Sequence, residues 1–295
     1  MAEVLLSPGV LARENDQSFL QAQPVQAGAA IVGPTVKGPV GIPTLVTTYS
    51  QYQNKFGAVV ESGSAEYTYF TSISAYNYFQ QGGDSLLVTR VVSGSYTSAT
   101  SSTVANTDPT IPETFVLETL SEGTNQNSSS SLGSAGQLAE GTVDNIRWEI
   151  VSPNTASGTF SLLIRRGNDI TTSKTVLETW GNISLDPNAN NYIEKVIGNT
   201  KQTVATDAST GESYIKNDGT YNTLSSYVRV KSVGAKTLNY FDNAGNAKAA
   251  FMGSIPTAAS GTFGDATGAP FVGMEAKFYG DISDKEWAKK VYIKA

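Results

Sequence analysis

Short apolar runs separated by glycine and proline dominate the first hundred residues. Ala29, Ala30, Ile31, Val32 and Gly33 have the pattern of a short buried strand, and residues 34–41 form a turn-rich loop. Residues 44–47 read as a second strand. Tyr49 to Phe56 then reads as a short helix, with Thr48 as N-cap and Gly57 as terminator. A longer helix is predicted from a cap at Ser62 or Ser64 to the glycine pair Gly82 and Gly83. Its Phe70, Ile73, Tyr76 and Phe79 fall on one apolar stripe. Residues 85–92 are almost continuously apolar, which is the pattern of a strand covered on both faces. The strand–helix–strand order implies a right-handed crossover within a compact α/β unit.

Past Ser93 the pattern changes. Residues 95–142 are rich in Ser, Thr, Asn and Gly and hold one clear strand at 115–117. Residues 143–235 read as β, with alternating runs at 146–151, 160–165 and 227–230. Residues 191–198 read as a helical turn closed by Gly198. Residues 256–273 look like a Gly/Ala/Pro/Thr loop, and Ser283 and Glu286 stand at capping-box spacing before Trp287. The fold class is therefore α+β or α/β. A small α/β core domain (28–95 plus 256–295) carries an extended N-terminal arm (1–27) and an inserted β-rich domain (96–255), because exposed loop tips tolerate insertions.

The arm has its own pattern. Val4, Leu5 and Leu6 and then Val10 and Leu11 flank a Ser7-Pro8-Gly9 turn, where Pro8 removes a ladder donor and Gly9 permits positive φ. Such strand-competent residues have three fates: addition to a sheet edge of another subunit, addition to their own sheet, or no fixed structure.

Composition narrows the function classes. Of 295 residues, 39% are hydrophobic and 16% charged, well under the ~25% charged of typical globular chains. A net charge of −6 argues against nucleic acid as a partner, since no basic stripe is offered to phosphates. No run of ~18 apolar residues occurs, so membrane insertion is not expected, and no secretion leader is read at the N-terminus. Cysteine and histidine are both absent, which removes disulfides, thiolate metal sites and any Ser-His-Asp triad. No catalytic, cofactor-binding or metal-binding residue is assigned, and no enzyme activity is expected.

The remaining candidate motifs have plain readings. Gly38-Pro39-Val40-Gly41 lacks the Lys and Ser/Thr of a phosphate loop, and Pro39 removes a needed amide, so it reads as a turn. The glycine-rich 261–268 segment reads as a loop. Arg165, Arg166 and Asp169 sit at a hairpin turn, as a solvated cluster or a candidate intersubunit salt bridge. Glu140, Asp144 and Glu149 include the residue types of a glycosidase carboxylate pair, although a β surface commonly carries such acids. The aromatics at 67, 69, 70, 76, 78 and 79 read as helix core and interface.

Read in order, several segments resemble the amino-terminal part of contractile tail sheath proteins, found in myovirus-type bacteriophages and related injection particles. They are Leu6 to Val10, Ala30 to Gly33, Lys37 to Pro43, Phe56-Gly57, Phe79 to Asp84 and Val88 to Val91. Phe160 to Arg165, Leu177 to Pro187, Asn191 to Ile193 and Ile197-Gly198 continue the series. The resemblance implies a virion structural protein that assembles with itself as stacked hexameric rings around a tail tube. Its implied partners are the tail tube protein and the baseplate and tail terminator proteins, with assembly in the host cytoplasm. Val4, Leu5, Leu6, Pro8, Gly9, Val10 and Leu11 would form the intersubunit arm. Contraction would drive the tube through the host envelope for genome ejection, with no cofactor. The alternative is a β-rich baseplate or surface-binding module sharing the α/β core. In this family a carboxy-terminal domain follows the glycine-rich loop and supplies the arm's acceptor sheet and the tube contacts. Residues 283–295 do not match that pattern, so the expectation is part of a longer chain or a shortened paralogue, and neither surface is carried over.

Overall fold

The computed structural model describes residues 28–62, 65–269 and 275–277. The arm expected over 1–27 and the capping pair Ser283 and Glu286 lie outside them. The order begins with β1 (Ala29–Gly33), β2 (Thr44–Val46), α1 (Tyr49–Phe56), β3 (Val60–Ser62), β4 (Ala65–Tyr69), α2 (Phe70–Gln80) and β5 (Leu86–Arg90). It continues through β6 (Ser98–Ser101), β7 (Phe115–Glu122), β8 (Ile146–Asn154), β9 (Thr159–Arg166), β10 (Val176–Ser184) and α3 (Ile193–Val196). Then come β11 (Lys201–Thr206), β12 (Ser213–Asp218), β13 (Val228–Val233), α4 (Ala249–Met252), β14 (Ala259–Gly261), β15 (Phe263–Gly264) and β16 (Glu275–Lys277). Strand outweighs helix, and the whole is a mixed α/β fold.

The first unit forms as its local chemistry dictates. Thr48 Oγ1 accepts the amide of Gln51 at 3.1 Å and caps α1, while Gly57 at φ 73° donates to Gln53 O and ends it. β1 pairs in parallel with β5, and β2 pairs antiparallel with its other side, giving the order β1-β5-β2. One face of this sheet buries Val46, Leu86 and Val88 against Tyr52 and Phe56 of α1 and Ala75 of α2. A bond of 2.9 Å between Tyr52 Oη and Ser72 Oγ ties the two helices together.

α2 corrects the sequence reading in its start, whereas of the apolar stripe Ile73 is buried, Phe79 packs against the core and Tyr76 meets Tyr49. Residues 65–69 are strand, hairpin-paired to β3, and the helix begins at Phe70. Its buried residues are Thr71, Ser72, Ile73 and Ala75, whereas Phe70 is exposed. Small side chains let the helix approach β1 closely: a Cβ on Gly33 would sit 2.4 Å from Thr71 Oγ1. Small residues therefore share the packing of this helix with Ile73 and Phe79 of the apolar stripe.

The β-rich part is a two-sheet sandwich. One antiparallel sheet has the order β10-β9-β8-β14 and the other β13-β7-β6-β15. Alternate residues point inward, so Trp148, Ile150, Phe160, Leu162 and Ile164 meet Phe115, Leu117, Val228, Val230 and Phe263 in one core. Phe115 and Phe160 stack at 5.7 Å. The 256–273 loop of the sequence reading contains β14 and β15, which complete the two sheets, and the chain rejoins the first unit at β16 alongside β4. Glycine made the segment look like loop, but glycine is what the strand needs there. A Cβ on Gly261 would lie 2.3 Å from the Trp148 ring. The hairpin β11–β12 stands apart as its own two-stranded sheet.

Candidate assembly surface

The candidate surface is the three-stranded β1-β5-β2 sheet. β5 is central, and among the described residues neither β1 nor β2 has a strand on its far side. Each therefore presents a row of main-chain donors and acceptors, the template for an added strand. β1 offers the longer ladder, five residues against three in β2.

The sheet's second face is apolar, and no element covers it among the described residues. Register places Ala30, Leu87 and Leu45 in one row and Val32 beside Thr89 in the next. Val32 is 70% exposed, Leu45 57%, Leu87 39% and Val91 49%. The expectation that residues 85–92 are covered on both faces is thus met on the helix side alone among the described residues. The alternation of buried Leu86, Val88 and Arg90 with outward Leu87, Thr89 and Val91 explains the continuous apolar run: both faces carry hydrophobes.

This sheet is fastened to the sandwich by a charged staple. Arg90, 2% exposed, donates through Nη1 to Gly38 O at 2.8 Å and to Glu122 O at 2.7 Å, and its guanidinium lies 5.1 Å from the Tyr96 ring centre. Burial pulls the Arg90 guanidinium below its ordinary pKa, opposed by Tyr96, Tyr69 and Glu122. In return, Glu122 N donates to Gly38 O at 3.2 Å, and Glu122 Oε2 accepts from Val40 N at 3.0 Å. Burial pushes the Glu122 carboxyl up, against the Val40 amide and the nearby cations Lys201, Arg229 and Arg90. Gly38 N donates to Ser121 Oγ, Asn125 Nδ2 donates to Val36 O, and Lys37 Nζ pairs with Asp144 at 3.2 Å. The loop read as a non-phosphate turn is therefore the hinge plate of this joint. Nothing in its glycine pattern signalled that role; the usable clue was Arg90, a cation closing an apolar strand.

Beside the joint, a groove of about 690 Å³ runs between the first unit and the sandwich, with Lys37, Lys55, Glu122, Asp144, Arg166 and Arg229 among its lining residues. Burial holds the Lys55 ammonium below its ordinary pKa.

The other candidates are dispersed. Arg165 and Asp169 form a buried pair within the chain, Nε to Oδ2 at 2.8 Å and Nη2 to Oδ1 at 2.8 Å. Arg147 at 3.4 Å from Asp169 and Glu149 at 3.0 Å from Arg165 extend it, and Lys174 closes on Glu149 at 2.7 Å. Arg165 and Asp169 thus pair within the chain, and of the three residues Arg166 lines the groove. Glu149 is engaged in this network, Asp144 is held by Lys37, and Glu140 is exposed, so the three acids occupy separate surroundings. Val4, Leu5, Leu6, Pro8, Gly9, Val10 and Leu11 lie outside the described residues.

No family model and no curated protein matches this chain. Solved structures similar to it include two sheath tail proteins. A sheath tail protein from Listeria innocua is 10% identical with a TM-score of 0.38, over 84% of this chain and 36% of that one. A sheath tail protein from Desulfitobacterium hafniense is 11% identical with a TM-score of 0.29, over 77% of this chain and 39% of that one. This chain spans little more than a third of the length of either.

Proposed function

We propose that this chain is a structural subunit of a contractile tail sheath, polymerising as stacked hexameric rings around a tail tube. The observation that carries the reading is the β1-β5-β2 sheet with unpaired strands at both outer edges among the described residues. An arm from another copy, residues 4–11, adds to the edge of β1. Main-chain pairing gives a link that survives a change of angle between subunits, while side-chain contacts between rings are exchanged. The ordered series of sheath-like segments supports the same reading.

Work in this scheme comes from packing. The extended array is a metastable state, and a trigger at the baseplate lets the subunits settle into an arrangement with more buried surface. The staple of Arg90 and Glu122 suits such a part, because a pull on the sheet reaches the sandwich without loss at the joint. No catalytic step and no cofactor enters.

A baseplate or surface-binding module is the second reading, and one feature favours it: the hairpin β11–β12 exposes Val204, Tyr214 and Ile215. Electron microscopy of the overexpressed protein separates the two. Long helical tubes that are lost on deletion of residues 1–12 support the sheath; discrete particles indifferent to that deletion support the module.

A further inference from the structure

We propose that the tip of the β11–β12 hairpin, residues 207–212, docks into the groove between the first unit and the sandwich of a second copy of this chain. This contact goes beyond the assembly reading and does not need the arm, so either can fail without the other.

The groove carries unmatched positive charge. Lys37 pairs with Asp144 and Arg229 with Glu118, while the Glu122 carboxylate is held by the Val40 amide. Lys55 and Arg166 line the same groove and are half-buried. Among the described residues no carboxylate lies within 4.0 Å of either. Two uncompensated cations on the walls of one cleft draw a negative group, the more so where burial has already thinned the water around Lys55. The volume of about 690 Å³ falls among the ~300–1,000 Å³ clefts that enclose small ligands, which suits a single turn of chain.

The hairpin carries the complementary charge on its end. Asp207 and Glu212 close the turn, with Asp207 N donating to Glu212 O at 2.9 Å, and no Lys or Arg occurs from 202 to 215. Asp207 Oδ1 accepts the Ser209 hydroxyl and the amides of Ser209 and Thr210, which holds its carboxyl below the ordinary range and keeps it charged. Residues 208–212 are exposed, as are the apolar Tyr214 and Ile215 behind them.

The tip that fills the groove comes from another copy. Gln202 and Asn217, paired across the hairpin, line the groove at the hairpin's base. Thr206 ends β11 and stands ~13 Å further along the strand from Gln202. Pairing runs without a break from Lys201 and Asp218 to Thr206 and Ser213, so the ladder holds the tip away from its own base. Donor and acceptor surfaces differ, so the contact is heterologous and propagates into a ring or a helix.

The chain has no cysteine, so single cysteines report the contact. Ala208→Cys marks the tip and Asn54→Cys the groove, while Asn243→Cys, outside the lining, is the control. All three positions are exposed, and the arm is unchanged in every variant, so the rates report the tip alone. A disulfide needs Cα atoms within ~7 Å, so Ala208→Cys protein mixed with Asn54→Cys protein should form the heterodimer about tenfold faster than with Asn243→Cys protein. In ~1 M salt, where charges are screened beyond ~3 Å, that advantage should fall several-fold. Arg166→Glu in the groove partner should remove it, and Arg166→Lys should keep it. Equal rates with the two partners, or an advantage that salt leaves unchanged, would overturn the proposal. An intrachain bond in the double variant Asn54→Cys/Ala208→Cys at high dilution would overturn it too, by seating the tip in its own groove.

Discussion

Nη1 of Arg90 lies 2.7 Å from the main-chain oxygen of Glu122, so a cation on the central strand of one sheet holds the last residue of β7 in another. The same nitrogen holds Gly38 O at 2.8 Å. Three segments separated widely in sequence thus converge on one guanidinium.

Arg90→Ala would remove both bonds, leaving Gly38 O with the Glu122 amide alone and Glu122 O without this donor. Hydrogen bonds to charged groups contribute about 1.5–3 kcal/mol each, so a loss of about 3 kcal/mol is expected in denaturant unfolding. Arg90→Lys keeps the charge without the planar fork and should fall between the two. A loss within experimental error for Arg90→Ala would show that the joint does not rest on this residue.

Glu122 supplies a pH dependence with a definite sign. Burial raises its carboxyl pKa in the folded state, so the folded chain binds that proton more tightly than the unfolded chain. Stability from this group is therefore greatest below the ordinary carboxylate range and declines as pH rises through the raised value. Thermal melts of Glu122→Gln, which keeps an acceptor for Val40 N, should gain on the parent between pH 4 and pH 7. A constant difference across that range would refute the assignment.

Asp169 sits between Arg165 and Arg147 with its side chain fully buried. Asp169→Asn leaves two guanidinium groups with Glu149 as their remaining counter-charge, and breaking a buried pair costs about 3–5 kcal/mol. The double variant Arg165→Met/Asp169→Leu should lose less than the sum of the single changes. Additive losses in the double-mutant cycle would mean the pair is not coupled.

Two glycines separate backbone strain from steric conflict. Gly198 has φ 98°, and a Cβ there would lie 2.2 Å from Thr223 Cα, while Gly82 has φ 88° with open space around it. Gly82→Ala should cost about 1 kcal/mol from conformation alone, and Gly198→Ala clearly more, about 3 kcal/mol. Equal losses in urea unfolding would contradict this close approach.

Elements with local signals were legible in the sequence. Thr48 and Gly57 bracketed α1, and the apolar runs of β1 and β5 stood out because period and length agree there. Three things were hidden, each for a physical reason. The β11–β12 hairpin is exposed on β12 throughout and alternates only weakly on β11, so no buried face marks it. β14 and β15 look like loop because Gly261 must be small beneath Trp148, a demand visible only once the sheets are stacked. The candidate surface was half legible: the apolar run predicted two covered faces, but which elements cover them is a tertiary matter. The joint at Arg90 was least legible, since its acceptors are main-chain oxygens that no residue type advertises.

The central claim is that the arm of one copy pairs with the edge of β1 in another. Hydrogen exchange of Ala29–Gly33 amides, in assembled particles against unassembled protein, tests it most directly. The account predicts slowed exchange at the outward-facing amides on assembly, abolished when residues 1–12 are deleted. Identical exchange in both states, or protection that persists without the arm, would contradict it.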